Sequence, residues 1–183
     1  MISKKALRKH LQDLRKNQFR RTIVRQSKQI TDRLLAFESY QQSQVVGLYD
    51  GLDFEVQTEN IFLHAISQGK VCLYPKVVGA NLIFGQVSDP QELEKDKFGV
   101  RAPQKIIANK KQLQCLIVPC VGVDLWGRRL GFGGGFYDRY LQNFQGTTIA
   151  LAFDYQVYPL IPDETHDKRV DWIVTSHKIY RCH

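Results

Sequence analysis

The chain contains the glycine-rich stretch P-C-V-G-V-D-L-W-G-R-R-L-G-F-G-G-G-F-Y-D-R at residues 119–139. Five of the 13 glycines in the protein fall within the nine residues 127–135, and three arginines surround them. Because glycine tolerates positive φ and lets a ligand approach the backbone closely, such a loop exposes N–H groups. A loop of this kind that leads into a helix is typical of a phosphate site. Asp138 is placed to hold the magnesium ion that accompanies a nucleotide.

The segments on both sides of this loop alternate between strand-like and helix-like patterns. Apolar runs predict strands at residues 45–49, 71–74, 82–87, 113–118, 148–153 and 170–174. Periodic apolar residues predict helices from Ser3 onward and near residues 23–37, 58–68 and 136–144. This alternation predicts an α/β protein with three layers, α/β/α, around a mostly parallel central sheet. Ligands of such sheets bind at the carboxyl ends of the strands, where the glycine-rich loop lies.

We expect a single domain over residues 1–183, with basic N-terminal helices at 1–38 packed on it. The apolar stripe of the first helix is predicted to consist of Leu7, Leu11 and Leu14. Its basic residues Lys4, Arg8 and Arg15 fall near one another on a different face. The polar residues 88–112 show only weak periodicity in their apolar positions and are predicted to form a long excursion, that is, a long connecting loop.

The positive charge of the protein is concentrated near its N-terminus. The net charge is +8, yet residues 1–28 hold ten Lys and Arg against one Asp, and the remainder hold 16 against 17 acids. Such a segment could bind nucleic acid, and it could equally well bind small polyanions such as a nucleotide or a polycarboxylate.

The sequence excludes two common nucleotide-binding loops. No glycine precedes Lys-[Ser/Thr], which excludes the Walker A loop, and Phe136 occupies the place of the last glycine of the dinucleotide motif G-x-G-x-x-G.

The cysteines and the apolar segments of the sequence indicate where in the cell the protein is located. Its four cysteines form no C-x-x-C pair, which predicts reduced, buried thiols in the cytosol and no zinc site. No apolar run approaches the ~20 residues that span a bilayer, and the N-terminus lacks the apolar core of a secretory signal. We therefore expect a cytoplasmic protein without a membrane partner.

The full string V-P-x-V-G-x-D-x-x-G-x-R-L-G-x-G-G-G-x-Y-D-R resembles the signature of the 5-formyltetrahydrofolate cyclo-ligase family, also called methenyltetrahydrofolate synthetases. Further segments carry the same resemblance in the same order: K-x-x-L-R at 4–8, strand ends at 48–55 and 73–75, and P-x-x-x-H-D-x-x-V-D at 162–171. One departure is Ala102, because bacterial members often carry glutamate there in G-[IL]-x-E-P. Phe132 and Phe136 stand where tyrosine is frequent.

The resemblance implies a ligase that converts 5-formyltetrahydrofolate to 5,10-methenyltetrahydrofolate while ATP is cleaved to ADP and phosphate. It implies phosphorylation of the formyl oxygen, so the protein mainly positions reactants and stabilises charge. The expected partners are the folate and ATP with Mg²⁺, and neither nucleic acid nor a membrane. We expect the enzyme to be a monomer.

The resemblance also implies the site residues. The ATP-binding group is expected to comprise Lys4, Lys5, Ala6, Leu7, Arg8, Arg129, Leu130, Gly131, Phe132, Gly133, Gly134, Gly135, Phe136 and Tyr137. Its members Arg129, Lys4 and Arg8 are expected to be catalytic. The substrate-binding group is expected to comprise Asp50, Glu55, Phe132, Gly133, Gly134, Gly135 and Phe136. The magnesium ligands are expected to be Asp138 and Asp167.

Simpler roles stay open for some of these residues. Asp138 is also placed to cap the helix after the loop, and Glu55 to cap the helix that begins near Thr58. Asp171 is a rival metal ligand, although its place before the last predicted strand favours a structural role.

Two other functions stay open at this point. A nucleic-acid-binding protein would use the basic N-terminal helices and would bind oligonucleotides with steep salt dependence. A sugar-phosphate isomerase or CoA-transferase-like enzyme on a similar scaffold would need neither ATP nor magnesium.

Overall fold

A computed structural model describes residues 2–96, 99–106 and 112–183 of the protein. Its helices are α1 (Lys4–Lys16), α2 (Arg20–Leu35), α3 (Glu38–Gln42), α4 (Glu59–Ser67) and α5 (Phe136–Leu141). Its strands are β1 (Val45–Gly47), β2 (Val71–Val78), β3 (Asn81–Val87), β4 (Leu93–Lys95), β5 (Arg101–Pro103), β6 (Cys115–Val118), β7 (Gly122–Val123), β8 (Arg129–Leu130), β9 (Thr147–Leu151), β10 (Trp172–Val174) and β11 (Ile179–Arg181).

The central sheet has seven strands in the order β11-β10-β9-β6-β1-β2-β3. The five strands from β10 to β2 run parallel, and β11 and β3 add one antiparallel strand at each edge. Two small hairpins, β4–β5 and β7–β8, stand apart from this sheet. The prediction of a mostly parallel α/β sheet is confirmed.

The parallel strands are buried on both faces, which is why they read as continuous apolar runs. Neighbouring residues of a strand point to opposite faces, and those of β6 enter two different clusters. Ile117 packs in the cluster that contains the buried side chains of α2, α3 and α4. Leu116 packs in the cluster that contains Tyr140 and Leu141 of α5. The sheet therefore lies between two layers, as predicted, one with α2, α3 and α4 and the other with α5.

The first helix packs differently from the sheet-covering helices. Ser3 caps it, as predicted, by accepting a hydrogen bond from the N–H of Ala6. Leu7 and Leu11 are buried against the loops at the end of the sheet, together with Leu130. Leu14, predicted as the third buried residue, is 36% exposed, and the neighbouring Arg15 is 4% exposed. An arginine thus occupies the buried position that the apolar spacing assigned to leucine.

Several predicted boundaries differ from the structure. The helix after the glycine-rich loop ends at Leu141 and not near residue 144, and the last parallel strand begins at Trp172. Part of the predicted excursion at 88–112 is ordered as a 3-10 turn at Pro90–Glu92 and the β4–β5 hairpin. Positions 97, 98 and 107–111 of that excursion lie outside the described residues. No helix in the described ranges has the length and apolar character needed to cross a membrane.

The cysteines are free thiols, in agreement with the sequence-based prediction. Cys72, Cys115 and Cys120 are buried, and Cys182 is partly buried. Burial raises the pKa of each thiol to about 12, so the reactive thiolate is scarce at neutral pH.

A buried aspartate shapes the turn between β7 and β8. Asp124 is fully buried and accepts hydrogen bonds from the backbone N–H groups of Trp126 and Arg128 at 3.0 Å and of Ile161 at 2.9 Å. Gly127 closes the turn with φ of +79°. These contacts explain the D-x-x-G-x-R part of the signature, because they direct the chain back along β8 towards the glycine-rich loop.

Gly127→Ala is expected to lower the free energy of unfolding by about 3 kcal/mol. A Cβ at this position would lie 2.3 Å from the carbonyl oxygen of Val170, in addition to the strain of positive φ. Gly79 is the matched control, because its φ is +60° and a Cβ added there would meet no atom within 4 Å. Gly79→Ala is expected to cost about 1–2 kcal/mol. Urea unfolding measures both variants, and equal losses would contradict a role for the Val170 contact.

Candidate active site

A cavity of about 730 Å³ opens at the carboxyl ends of the parallel strands. Tyr49 and Asp50 follow β1 into it, and Pro119 follows β6. Most of the residues predicted for the site line this cavity: Lys4, Lys5, Arg8, Asp50, Glu55, Arg129, Leu130, Gly131, Phe132, Gly133, Gly134, Gly135, Phe136, Tyr137, Asp138 and Asp167. Ala6 and Leu7 do not line it, because Ala6 is exposed to solvent and Leu7 is buried in the core. The structure therefore brings four distant parts of the sequence to one place.

The glycine-rich loop has little room for side chains. Gly133 and Gly135 have φ of +106° and +65°. A Cβ on Gly131 would lie 2.8 Å from Nη1 of Arg129, and one on Gly134 would lie 2.6 Å from the ring of Phe136. These glycines are needed for the backbone path and for close packing, so the loop presents main chain to the cavity.

Three cations of α1 contact the loops around the cavity. Lys4 pairs with Asp167, and its Nζ lies 3.4 Å from a carboxylate oxygen of Glu164. Arg8 donates a hydrogen bond of 2.8 Å to the carbonyl oxygen of Gly131. Arg15 donates one of 3.1 Å to the carbonyl oxygen of Cys120. The spacing of four and seven residues places all three on one side of α1. Lys4 and Arg8 line the cavity, and Arg15 is buried beneath it.

Arg129 and Asp138 form an ion pair inside the cavity wall. Nη2 of Arg129 donates to Oδ1 of Asp138 at 2.9 Å, and the two side chains are 3% and 17% exposed. The Arg129 guanidinium also lies over the ring of Tyr137, 5.5 Å from its centroid. The N-cap of α5 is Gly135, and Asp138 lies in the first turn. Asp138 is therefore not the N-cap of α5, but it is an acid in the first turn, as the capping alternative requires, and it also pairs with Arg129.

A second group of possible metal ligands lies beside Lys4 in the same cavity. Ligand atoms of Glu164, His166 and Asp167 lie within 4.8 Å of one another. Within the described residues, Asp138 does not belong to this group and pairs with Arg129 instead. Sequence reasoning found Asp167 but missed Glu164, because a single exposed acid in a loop carries no periodic signal.

Glu55 is the most buried carboxyl of the cavity lining. Its side chain is 6% exposed, and Oε2 accepts a hydrogen bond of 3.0 Å from the N–H of Leu52. Burial raises the pKa of Glu55, and the Leu52 N–H and the charge of Arg15 oppose that rise. Glu55 does not cap α4, because the N-cap of that helix is Thr58.

Asp50 is held by a residue that the sequence did not single out. Arg101 of β5 donates to both carboxylate oxygens of Asp50, at 3.0 and 2.8 Å. The neighbouring Ala102, where bacterial relatives often carry glutamate, is buried at 5% exposure. Asp171, the rival metal ligand, accepts hydrogen bonds from the N–H and hydroxyl of Thr148 and does not line the cavity. These hydrogen bonds join β9 to the residue that precedes β10.

Comparison with known proteins gives one consistent result. A model of the 5-formyltetrahydrofolate cyclo-ligase family matches residues 1–176. The chain is 30% identical to mouse 5-formyltetrahydrofolate cyclo-ligase over 82% of each chain. It is 29% identical to the Escherichia coli K12 enzyme of the same name, over 83% of this chain and 88% of the other.

Solved structures agree with the sequence comparison. The NMR structure of Aquifex aeolicus 5,10-methenyltetrahydrofolate synthetase superposes with a TM-score of 0.88 at 31% identity, over 97% of this chain and 92% of that one. A 5,10-methenyltetrahydrofolate synthetase from Mycoplasma pneumoniae superposes with a TM-score of 0.79 at 24% identity, over 96% and 100% of the two chains. At 24% identity, the similarity to the Mycoplasma pneumoniae protein shows a shared fold.

Proposed function

The chain belongs to the 5-formyltetrahydrofolate cyclo-ligase family, and we infer from this that it closes 5-formyltetrahydrofolate to 5,10-methenyltetrahydrofolate. ATP is the co-substrate of this ligase. The observation that carries the inference in the structure is a single cavity that joins a glycine-rich loop, a cationic helix face and the buried carboxyl of Glu55.

The reaction requires activation of a formamide. Its carbonyl carbon is a poor electrophile, and its oxygen is a poor leaving group. Transfer of the γ-phosphoryl group of ATP to that oxygen removes both difficulties, after which the neighbouring folate nitrogen attacks, the ring closes and phosphate departs. Phosphoryl transfer of this kind depends mainly on positioning and charge stabilisation. The protein groups that matter are therefore N–H donors and cations.

We propose that the nucleotide end of the cavity is formed by the N-terminal segment 4–8 and the loop 129–137. The N–H groups of Gly131, Gly133 and Gly134 would bind phosphate oxygens. Arg129 would neutralise charge that develops on the transferred group. Because α5 has six residues, the N–H donors of the loop contribute more to this site than the dipole of the helix does.

We propose that the N-terminal segment 4–8 supplies cations to the nucleotide end of the cavity. Lys4 and Arg8 would face the polyphosphate from α1, and Lys5 would extend the same charge. Arg8 already contacts the loop through the carbonyl oxygen of Gly131, which supports the proposal that α1 and the loop act together. Ala6 and Leu7 would contribute through the main chain, because their side chains do not face the cavity.

We propose that the folate occupies the other end of the cavity. Glu55 would bind the pteridine through its carboxylate, with Asp50 nearby. The rings of Phe132 and Phe136, which line the cavity, would pack against the substrate beside the glycines that bind phosphate. This arrangement would bring the formyl oxygen next to the nucleotide.

We further propose that Asp138 and Asp167 hold Mg²⁺. Both are carboxylates at the cavity wall, 17% and 11% exposed, and oxygen donors of this kind suit Mg²⁺. Each is paired with a cation, Arg129 or Lys4, that the proposal also assigns to phosphate. Bound Mg²⁺ would supply positive charge to phosphate oxygens. We further propose that the protein is a monomer in the cytoplasm and that it binds neither nucleic acid nor membranes.

The function is tested by an optical assay. The protein with ATP, magnesium and 5-formyltetrahydrofolate is expected to generate the methenyl chromophore together with stoichiometric ADP. Omission of ATP is expected to abolish the chromophore, and EDTA is expected to suppress it. ATP-independent formation of product would contradict the proposed reaction, whereas insensitivity to EDTA would contradict the magnesium proposal alone.

A further inference from the structure

Arg15 is a buried cation beneath the cavity that the proposed reaction does not use directly. It lies on α1, is 4% exposed, and donates to the carbonyl oxygen of Cys120. Its guanidinium carbon lies 4.9 Å from the ring centroid of Phe54 and 5.3 Å from that of Phe132. Phe132 belongs to the glycine-rich loop, and Phe54 belongs to the loop that carries Glu55. Arg15 therefore contacts both the glycine-rich loop and the loop that carries Glu55.

Arg15 and Glu55 form a loose, buried ion pair. Nη2 of Arg15 lies 4.0 Å from Oε1 of Glu55, and the side chains are 4% and 6% exposed. Among the described residues, no group accepts a hydrogen bond of good geometry from Nε or Nη1 of Arg15, although the hydroxyl of Tyr155 lies near its guanidinium, and none donates to Oε1 of Glu55. Burial of such a pair without complete hydrogen bonding is unfavourable for stability, because desolvation offsets the attraction. Stability alone therefore does not account for the pair.

We propose that Arg15 is a positioning residue of the reaction, which holds the Glu55 carboxylate and the Phe132 ring in place and so aligns the folate end of the cavity with the nucleotide end. The proposal rests on the assignment of Glu55 to the folate under the proposed function. Arg15 acts through these two side chains and does not itself line the cavity.

The positive charge of Arg15 also lowers the pKa of Glu55. The ionisable groups that act on Glu55 or are acted on by it come from several elements: Arg15, Asp50, Tyr49, Cys120, Tyr137 and Tyr155. Burial raises the pKa of Glu55, and Arg15 is the cation among these groups. Its removal raises that pKa further, so the carboxylate form needed for binding appears only at higher pH.

The experiment compares Arg15→Met and Arg15→Lys with the control Lys16→Met, whose side chain is 76% exposed on the same helix. We expect Arg15→Met to raise the KM for the folate by about tenfold or more and to move the acid limb of kcat/KM for the folate up by about one pH unit. Arg15→Lys keeps the charge, so its acid limb is expected near that of the wild type. Its folate KM is still expected to rise several-fold, because the planar contacts with the two rings are lost. Lys16→Met is expected to behave as the wild type does.

A merely structural role would move thermal stability without moving the acid limb. An unshifted limb in a folded Arg15→Met variant would overturn the proposal. Should that variant fail to fold, Arg15→Lys decides alone, because a wild-type folate KM in it would equally overturn the proposal. Glu55→Gln separates the two layers of inference: a wild-type folate KM in Glu55→Gln refutes the assignment of Glu55 itself. A raised KM in Glu55→Gln with no effect of Arg15 refutes the role of Arg15 alone.

Discussion

Replacement of Arg129 by methionine is expected to lower kcat by about 10²–10³-fold. The guanidinium is 3% exposed, lies at the wall of the cavity, and is fixed by Asp138 and by the ring of Tyr137. A preorganised cation in such a dry site stabilises developing charge far more than one in water, and its loss falls on the transition state. Steady-state rates at saturating ATP and folate measure the effect, and circular dichroism verifies that the variant is folded.

Arg128 provides the matched control for this prediction. It is the preceding residue in the chain, and its Nε lies 3.0 Å from a carboxylate oxygen of the buried Asp124, away from the cavity. Arg128→Met is expected to lower stability and to change kcat by less than about threefold. Arg129→Lys keeps the charge but loses the planar geometry, so part of the rate is expected to return. Equal losses of kcat in the Arg128 and Arg129 variants would remove the catalytic assignment.

Asp138→Asn is expected to lower activity at least about 100-fold and to raise the magnesium concentration needed for half-maximal rate. The substitution keeps the volume of the side chain and its ability to accept a hydrogen bond from Arg129, while it removes the negative charge that a hard cation prefers. A magnesium titration of initial rates at fixed ATP measures both effects.

The control for the charge change is Asp32→Asn. Asp32 is 58% exposed and pairs with Lys28 at 2.7 Å on the surface of α2. Loss of this surface pair is expected to leave activity and magnesium dependence unchanged. An Asp138→Asn enzyme with wild-type magnesium dependence would refute the metal assignment and would leave Asp138 as the residue that orients Arg129.

The fold could be predicted from the sequence where burial on both sides of a strand leaves a strong local signal. The strand at 115–118 and its parallel neighbours are such cases, because continuous apolar runs are typical of them. The two-residue strands of the β7–β8 hairpin were missed, since two residues show no periodicity. The buried Arg15 was missed for a different reason: its burial depends on partners more than 35 residues away, which no local pattern indicates.

Residues of the candidate site could be predicted where their chemical type or a sequence motif indicates a function. Glycines, arginines and acids of one loop point to phosphate by their chemistry alone, and the family signature added Lys4 and Asp167. The pairing of Asp50 with Arg101, 51 residues apart, arises only when the β4–β5 hairpin folds against the end of β1. The placement of Glu164 beside Asp167 depends on a loop conformation, and exposed acids are common without any such role.

The cations of α1 contact residues that are translated much later than the helix itself. The partners of its three cations lie 105, 123 and 163 residues further along the chain. At about 5–20 residues per second, translation takes roughly ten to thirty seconds to deliver the last of them. A helix of 13 residues is only marginally stable alone in water, so α1 is expected to stay largely unfolded until these partners have been translated. The wall of the cavity that α1 contributes is therefore expected to form late, and chains that stop short of residue 167 would lack the contact between Lys4 and Asp167.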